Sequence, residues 1–220
     1  DAISEELLSF LTDAIDQQRI LLVLTHRPGY EHRFGNRPFY TRLDLPHLTE
    51  SETAAVAGGV LGANALPPEL RELIFTRADG NPFFVEEITK SLIEVAAVRA
   101  TDDGYVLMKR IDEIHVPDTV QDVIMARLDR LSEEPRRAIQ TAAVIGREFT
   151  VRLLERTVDT AHQLDGHLKN LKAIELIYER SLFPELAYMF KHALTHDVAY
   201  GSLLFARRRQ LHRLVGDAIE

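Results

Sequence analysis

The chain has 220 residues, of which 45% are hydrophobic and 27% are charged. These fractions are typical of a folded protein with one large domain or two small ones, and they argue against intrinsic disorder. The net charge of -8 argues against a protein that binds polyanions over its whole surface, and the lack of Cys excludes disulfides and thiolate metal sites. The longest apolar run, 20–24, is too short to cross a bilayer. We therefore expect a cytoplasmic protein that does not contact membranes.

The amino-terminal part predicts one helix and two strands. Apolar residues recur at helical spacing over 3–17. The run "RILLVLTHRPG" has no polar alternation, so 20–24 is predicted to be a strand buried on both faces of a parallel sheet. The alternation in "TRLDL", 41–45, predicts a second strand.

Helices dominate the next segment. Thr49 and Glu52 have the spacing of a capping box, which predicts a helix to about Leu61. The sequence "LPPELRELIFTRADG" predicts a second helix, with Pro at its start and Gly after its end.

The sequence "DGNPFF" predicts the junction between that helix and the next. Gly80 ends one helix, Asn81 caps the following one, and Pro82 occupies its first position. This local explanation requires no ligand, although the amino terminus of a helix also suits an anion. The segment 98–108 then predicts a hairpin that turns at Asp103-Gly104.

The remaining residues, from Pro117 onward, predict helices followed by two strands. Asp118 and Gln121 have capping-box spacing at the start of the first helix. The helices are followed by β-rich stretches at 175–181 and 186–191, a pattern that is typical of a winged-helix domain.

A last helix, 193–219, carries the run "RRRQLHR". This run could face nucleic acid, but it lies on the final helix of an acidic chain, so we expect a solvated face or a contact with a partner domain.

The stretch "FKHALTHDVAY" places His192 and His196 one helical turn apart. Metal binding, a nucleotide contact and packing are all compatible with this spacing. A zinc helix of the HExxH type would need Glu where Ala193 stands, and no third ligand is evident, so spacing alone favours packing.

The loop "THRPG" follows the apolar run, where ligands bind in open α/β sheets. Arg27 could contact a phosphate there or be an ordinary surface residue, and the sequence does not separate the two. The chain has no G-x-x-x-x-G-K-[ST] loop and no G-x-S-x-G nucleophile motif, so no catalytic residue is predicted.

Five segments, taken in order, resemble successive blocks of one family. They are "RILLVLTHRPGYE", "RLDLPHLTESE", "LPPELRELIFTRADGNPFFVEEI", "VPDTVQDVIMARLDRLSEEPRRAIQTAAVIGREF" and "FKHALTHDVAYGSLLFARRRQLHRLVGDAIE". The chain resembles bacterial STAND ATPases, in particular the AAA-type ATPase region that occurs behind class III adenylate cyclase domains and in large transcriptional regulators. The resemblance covers almost the whole chain.

The resemblance implies nucleotide contacts for five residues. Arg27 matches the sensor Arg that approaches the γ-phosphate. Gly80, Asn81 and Pro82 match the GxP motif, whose Pro packs against adenine. His192 matches the winged-helix His that reaches the β-phosphate of ADP.

The resemblance also implies an organisation. Residues 1–45 are expected to be the carboxyl half of a P-loop ATPase core, 46–116 its helical lid, and 117–220 a winged-helix domain with a linker helix. Asp1 matches the last Asp of the Walker B block. The P-loop segment and the Mg site are expected upstream, with an effector domain, and helical repeats are expected downstream.

The implied function is regulatory. ADP would hold a closed form, and exchange for ATP would permit opening and homo-oligomerisation, which controls an attached adenylate cyclase or transcription module. These 220 residues are not expected to hydrolyse ATP by themselves. Two alternatives remain, a DNA-binding winged-helix protein and a protein-interaction scaffold that uses no nucleotide.

Overall fold

The computed structural model describes residues 2–15, 18–27, 29–31, 38–63, 65–101, 104–110, 113–114, 116–158, 161–181 and 185–220. Over these residues the chain is mixed α/β and mostly helical, as predicted. It divides into two compact units, Asp1–Pro46 and His47–Glu220. The helices in the described ranges all fall short of the length and apolar character needed for a membrane span.

The first unit contains helix α1 (Ala2–Ala14), which confirms most of the helix predicted at 3–17. The strands predicted at 20–24 and 41–45 are wrong, because no described residue of this unit belongs to a strand. Leu21 is 88% exposed and Leu45 is 93% exposed. A strand needs a neighbour to accept and donate its backbone hydrogen bonds, and the described residues here supply none. Asp1 lies outside the described residues.

The second unit begins with a segment that we call the helical module, residues 47–116. The capping box at Thr49 is confirmed, since its Oγ1 accepts from the N–H of Glu52 and its own N–H donates to the Glu52 carboxylate. The hairpin is confirmed with Val98 opposite Leu107, and Asp103 of its turn lies outside the described residues. The elements are α2 (Glu50–Leu61), α3 (Pro68–Ala78), α4 (Pro82–Glu94), β1 (Val98–Thr101) and β2 (Gly104–Leu107).

Residues 117–220, which we call the C-terminal module, have helices around a small antiparallel sheet. The sheet order is β3-β5-β4, so the last strand is central. The short strand β3 was not predicted from the sequence, because a strand of three residues has too little alternation to be recognised. The elements are α5 (Val120–Asp129), α6 (Glu133–Ile145), β3 (Glu148–Thr150), α7 (Val151–Glu155), α8 (Leu164–Ala173), β4 (Ile177–Ser181), β5 (Ala187–Phe190), α9 (Ala193–Gly201) and α10 (Phe205–Ile219).

The cap of α5 differs from the prediction by one residue. Thr119, not Asp118, is the N-cap, and its Oγ1 accepts from the N–H of Asp122 at 3.1 Å. Asp118 forms an ion pair with Arg77 of α3 instead. Thr119 Oγ1 also donates to the Asp122 carboxylate at 2.6 Å, so a local pair one residue further on forms the cap.

The single helix predicted at 193–219 is also wrong, because it breaks between α9 and α10. Ser202 Oγ donates to the carbonyl of Ala199 at 2.7 Å, and Leu204 has an extended backbone before α10 begins. The break lets Leu203 pack with Leu211 in a small buried cluster of its own.

The helical and C-terminal modules have separate hydrophobic cores. Ile74, Val85 and Ile88 lie in the first core. Ile139 and Phe190 lie in the second. The two cores are joined through α4 and α5, since Val123 of α5 belongs to the first core, Phe83 of α4 packs against the second, and Val120 packs against both.

Candidate functional site

The turn before α4 has an unusual backbone. Asp79 and Gly80 both adopt positive φ angles, 48° and 68°, and the carbonyl of Gly80 accepts from the N–H of Leu48 at 2.8 Å. A Cβ at Gly80 would lie 2.5 Å from the Leu48 carbonyl oxygen, so a larger residue cannot be accommodated without movement. Asn81 then caps α4, since its side-chain oxygen accepts from the N–H of Phe84 at 3.2 Å. The predicted local roles of Gly80 and Asn81 are confirmed.

This turn also leaves two residues open to a ligand. Asn81 and Pro82 are both exposed. They stand at the amino terminus of α4, where the helix carries a partial positive charge that favours anions.

His192 of the C-terminal module lies close to this same end of α4. It is the N-cap of α9, and its ring lies 4.0 Å, between centroids, from the ring of Phe83 in the first turn of α4. Asn81, Pro82 and His192 therefore lie in one region, although more than a hundred residues separate them in the sequence. Arg27 belongs to the other unit, where its side chain is exposed.

The imidazole of His192 is partly buried. Its Nε2 has no hydrogen-bond partner among the described residues, and the carboxylate of Glu86 lies 3.8 Å away, beyond hydrogen-bond distance. Burial lowers the pKa of His192, and the attraction of Glu86 and Glu87 does not reverse this effect. The neutral ring keeps one nitrogen available to a ligand.

His196 has a different role. Its Nε2 lies 3.0 Å from the carbonyl oxygen of Ala143, and its Nδ1 lies 2.9 Å from Asp197. Its ring packs edge-on against Phe190. Both ring nitrogens therefore have hydrogen-bond partners within the C-terminal module. In the described ranges, no three His, Asp or Glu side chains come together as a metal site.

A charge network beside His192 was missed from the sequence. Lys191 bonds to Glu86 of α4 and to Glu175 at 2.6 Å each, and Arg127 is buried against Glu87 of the same helix. The partners of this network come from distant segments of the chain, so the spacing of charged residues within 82–94 does not reveal them.

A cavity of about 320 Å³ lies in the helical module. None of the predicted site residues lines it. The lining consists mainly of small apolar side chains, with Arg71 as the one cation, so it offers little chemistry. Its walls are Ser51, Ala54, Ala55, Gly58, Ala63, Ala65, Leu66 and Arg71.

Comparison with known proteins gives three similarities. Residues 49–105, which run from the N-cap of α2 into the first half of β2, match a family described as a domain of unknown function, DUF8739. The whole chain is 27% identical, over 227 aligned positions, to uncharacterized protein R02095 of Rhizobium meliloti (strain 1021). About 61% of the chain is 27% identical, over 139 positions, to a LexA repressor of Thermobifida fusca (strain YX). The chain spans 21% of the length of the first protein and 52% of the second.

Proposed function

We propose that the chain is the regulatory part of an ATP/ADP-dependent signalling switch of the STAND ATPase type. In this proposal ADP contacts Pro82 at the start of α4 and His192 at the start of α9, and thereby joins the helical module to the C-terminal module. Replacement of ADP by ATP would release this contact and pass a signal to an attached adenylate cyclase or transcription module.

The observation that carries the proposal is the position of His192. The ring packs on Phe83, one residue beyond Pro82, and keeps a buried Nε2 with no hydrogen bond among the described residues. An unpaired buried nitrogen is costly unless a partner satisfies it in some state of the protein. A phosphate oxygen is a suitable partner, because it accepts a hydrogen bond from the neutral ring.

The topology of the C-terminal module supports the proposal. We infer that it is a winged helix, since α6, β3, α7, α8, β4 and β5 follow one another in that order and β5 pairs with both other strands. The proposal assigns residues 1–45 to the ATPase core. The exposed side chains of Leu21 and Val23, 88% and 71% accessible, would be covered by the sheet of that core.

A nucleotide titration tests the proposal. The protein extended upstream to include the P-loop segment is titrated with fluorescent ADP and ATP, with His162→Ala as a matched control on an exposed His of the same module. We expect His192→Ala to weaken ADP binding by about tenfold or more, which corresponds to one lost charge-assisted hydrogen bond, and to leave ATP binding nearly unchanged.

Equal ADP affinities for His192→Ala and His162→Ala would contradict the proposed contact. Failure of the extended protein to bind either nucleotide would contradict the switch itself. The 220-residue chain alone is expected to show no ATP turnover, because it has no phosphate-binding loop.

A second candidate function is DNA binding, which the similarity to a LexA repressor favours. The charges of α8, the helix that a winged-helix DNA reader places in the major groove, argue against it. Lys169 is paired with Asp165 at 2.6 Å, and Lys172 is paired with Glu179 at 2.7 Å. The carboxylates of Asp165 and Glu179 would lie beside the phosphates and repel them.

Fluorescence anisotropy with labelled duplex DNA at low and high salt separates the two candidates. We expect no binding above the non-specific level. An affinity that falls steeply with salt and is lost in Lys169→Gln would favour the DNA reader instead.

A further inference from the structure

Three side chains converge on one carboxylate, that of Glu86 in α4. Its Oε1 accepts hydrogen bonds from Lys90 Nζ and from Lys191 Nζ, each at 2.6 Å. Its Oε2 lies 3.8 Å from Nε2 of His192, the nitrogen that has no hydrogen bond among the described residues. The carboxylate is therefore surrounded by groups that also suit a phosphate.

Glu86 lies on the same face of α4 as the exposed start of that helix. Pro82 precedes it by four positions and Phe83 by three, and residues at these spacings are neighbours on a helix surface. The ring of His192 packs on Phe83, with 4.0 Å between centroids. A phosphate that approaches His192 from the start of α4 therefore comes close to the carboxylate of Glu86.

This carboxylate is charged at neutral pH. Burial raises the pKa of Glu86, but hydrogen bonds from Lys191 and Lys90 outweigh burial and lower it. Burial lowers the pKa of Lys191, but hydrogen bonds to Glu175 and Glu86 raise it, so its ammonium group is charged as well. A phosphate and the carboxylate cannot share these donors without strong repulsion, since like charges in contact oppose each other.

Glu175 holds both lysines in place from the other side. Its Oε2 lies 2.6 Å from Lys90 Nζ and 2.6 Å from Lys191 Nζ. If the carboxylate of Glu86 moves away, the two ammonium groups still share the carboxylate of Glu175. Two positive charges and one negative charge then remain, and the excess attracts an anion.

We propose that the two lysines and His192 form a phosphate site, which the carboxylate of Glu86 occupies while the ligand is absent. A phosphate displaces this carboxylate and accepts hydrogen bonds from Lys191 and from Nε2 of His192. The side chains of Lys191 and Glu86 are 30% and 23% exposed, so Glu86 can rotate into water without any movement of the surrounding helices. The identification of the phosphate as that of a nucleotide rests on the proposed function.

A purely structural role for these charges predicts a different result from the loss of Glu86. Glu86→Gln keeps the size of the side chain and removes its charge. If the charges only stabilise the fold, this variant loses stability and gains no affinity for anions. If Glu86 takes the place of a phosphate, the variant leaves positive charge uncompensated, and its affinity for anions rises.

Inorganic pyrophosphate is the probe, because the chain has no phosphate-binding loop that would compete for it. Isothermal titration calorimetry compares the 220-residue wild-type chain with Glu86→Gln and with Glu86→Gln/Lys191→Gln. We expect Glu86→Gln to bind pyrophosphate about tenfold or more tightly than the wild type, and the double variant to lose this gain. The control Glu179→Gln removes a carboxylate that is paired with Lys172 at 2.7 Å, and it should leave the affinity unchanged.

Three results would overturn the proposal. Glu86→Gln could bind pyrophosphate no more tightly than the wild type, or its gain could persist when Lys191 is also replaced. An equal gain in Glu179→Gln would show that any lost carboxylate has the same effect, and that no particular site is involved.

An NMR measurement on the unmodified chain covers the case in which Glu86→Gln does not fold. The ring signals of His192 and of the exposed His162 are followed as pyrophosphate is added. We expect a saturable shift at His192 and none at His162. Equal shifts at the two rings, or no shift at His192, would refute the phosphate site.

ADP titration of the protein extended upstream separates this proposal from the proposed function. We expect Glu86→Gln to tighten ADP binding as it tightens pyrophosphate binding. If the extended protein binds no ADP while Glu86→Gln gains affinity for pyrophosphate, the nucleotide switch is wrong and the phosphate site stands. If the extended protein binds ADP with equal affinity in Glu86→Gln and wild type, and pyrophosphate binding is also unchanged, the phosphate site alone is wrong.

Discussion

We expect Gly80→Ala to lower the free energy of unfolding by more than the cost of its positive φ angle alone. Gly80 has a φ of 68°, which is unfavourable for any residue with a Cβ. The new Cβ would also lie 2.5 Å from the carbonyl oxygen of Leu48, and 2.9 Å from the backbone N of Leu48 and the Cβ of His47. Two of these three atoms are backbone atoms and cannot move aside by a change of rotamer.

The magnitude is the sum of two effects. The left-handed conformation costs about 1–2 kcal/mol for a non-glycine residue. Overlap with a packed neighbour that must shift costs about 1–3 kcal/mol. We therefore expect the free energy of unfolding to fall by about 2–5 kcal/mol. For a unit of this size the melting temperature should fall by roughly 5–15 °C.

Gly62→Ala is the matched control. Gly62 has nearly the same φ, 69°, but no atom within 4 Å of the position of a Cβ. It should lose only about 1 kcal/mol, since it carries the conformational cost without the overlap. Urea unfolding followed by circular dichroism gives both values. Equal midpoints and equal m-values for the two variants would refute the argument that the approach of Leu48 is what requires glycine at position 80.

Three further variants test local parts of the structure. Thr49→Ala removes the cap of α2 and should lower the free energy of urea unfolding by about 1 kcal/mol, whereas Thr49→Ser should retain most of it. Ala96 has a φ of 51°, so Ala96→Gly should raise that free energy by about 0.5 kcal/mol, and a decrease would contradict the strain. Hydrogen bonds from Lys191 and Lys90 lower the pKa of Glu175 from 4.5 to about 2. Its contribution to stability should therefore be complete above pH 4.5 and be lost as the pH falls toward 2. Glu175→Gln should flatten the melting temperature over this range, and an unchanged slope would contradict the pairing.

Residues close together in the sequence determined the features that were predicted correctly. The capping box of Thr49 and Glu52 and the cap of α4 by Asn81 join residues three positions apart. Such hydrogen bonds lie within one helical turn, so the spacing of the residues along the sequence is enough to suggest them. The same reasoning explains why Pro82 was correctly placed at the first position of α4.

Tertiary structure decided the features that were predicted wrongly. Asp118 was predicted to cap α5, but it pairs with Arg77 of α3 and Thr119 caps the helix. The strand β3 exists because β5 pairs with it, and three residues have no pattern of their own to reveal this. The apolar run at 20–24 has the composition of a buried strand, but composition cannot supply a neighbouring strand.

The candidate site divides in the same way. The sequence by itself determined the turn at Gly80 and the exposed start of α4, because these depend on backbone angles and neighbouring hydrogen bonds. Only the tertiary structure decided that His192 packs on Phe83 and that Glu87 of α4 is buried against Arg127. A stripe of Glu and Lys on a helix is typical of a face in contact with water. The sequence of α4 contains nothing to show that Arg127 of α5 pairs with Glu87. Complementary charges from distant segments become informative only when the fold brings them within hydrogen-bond distance.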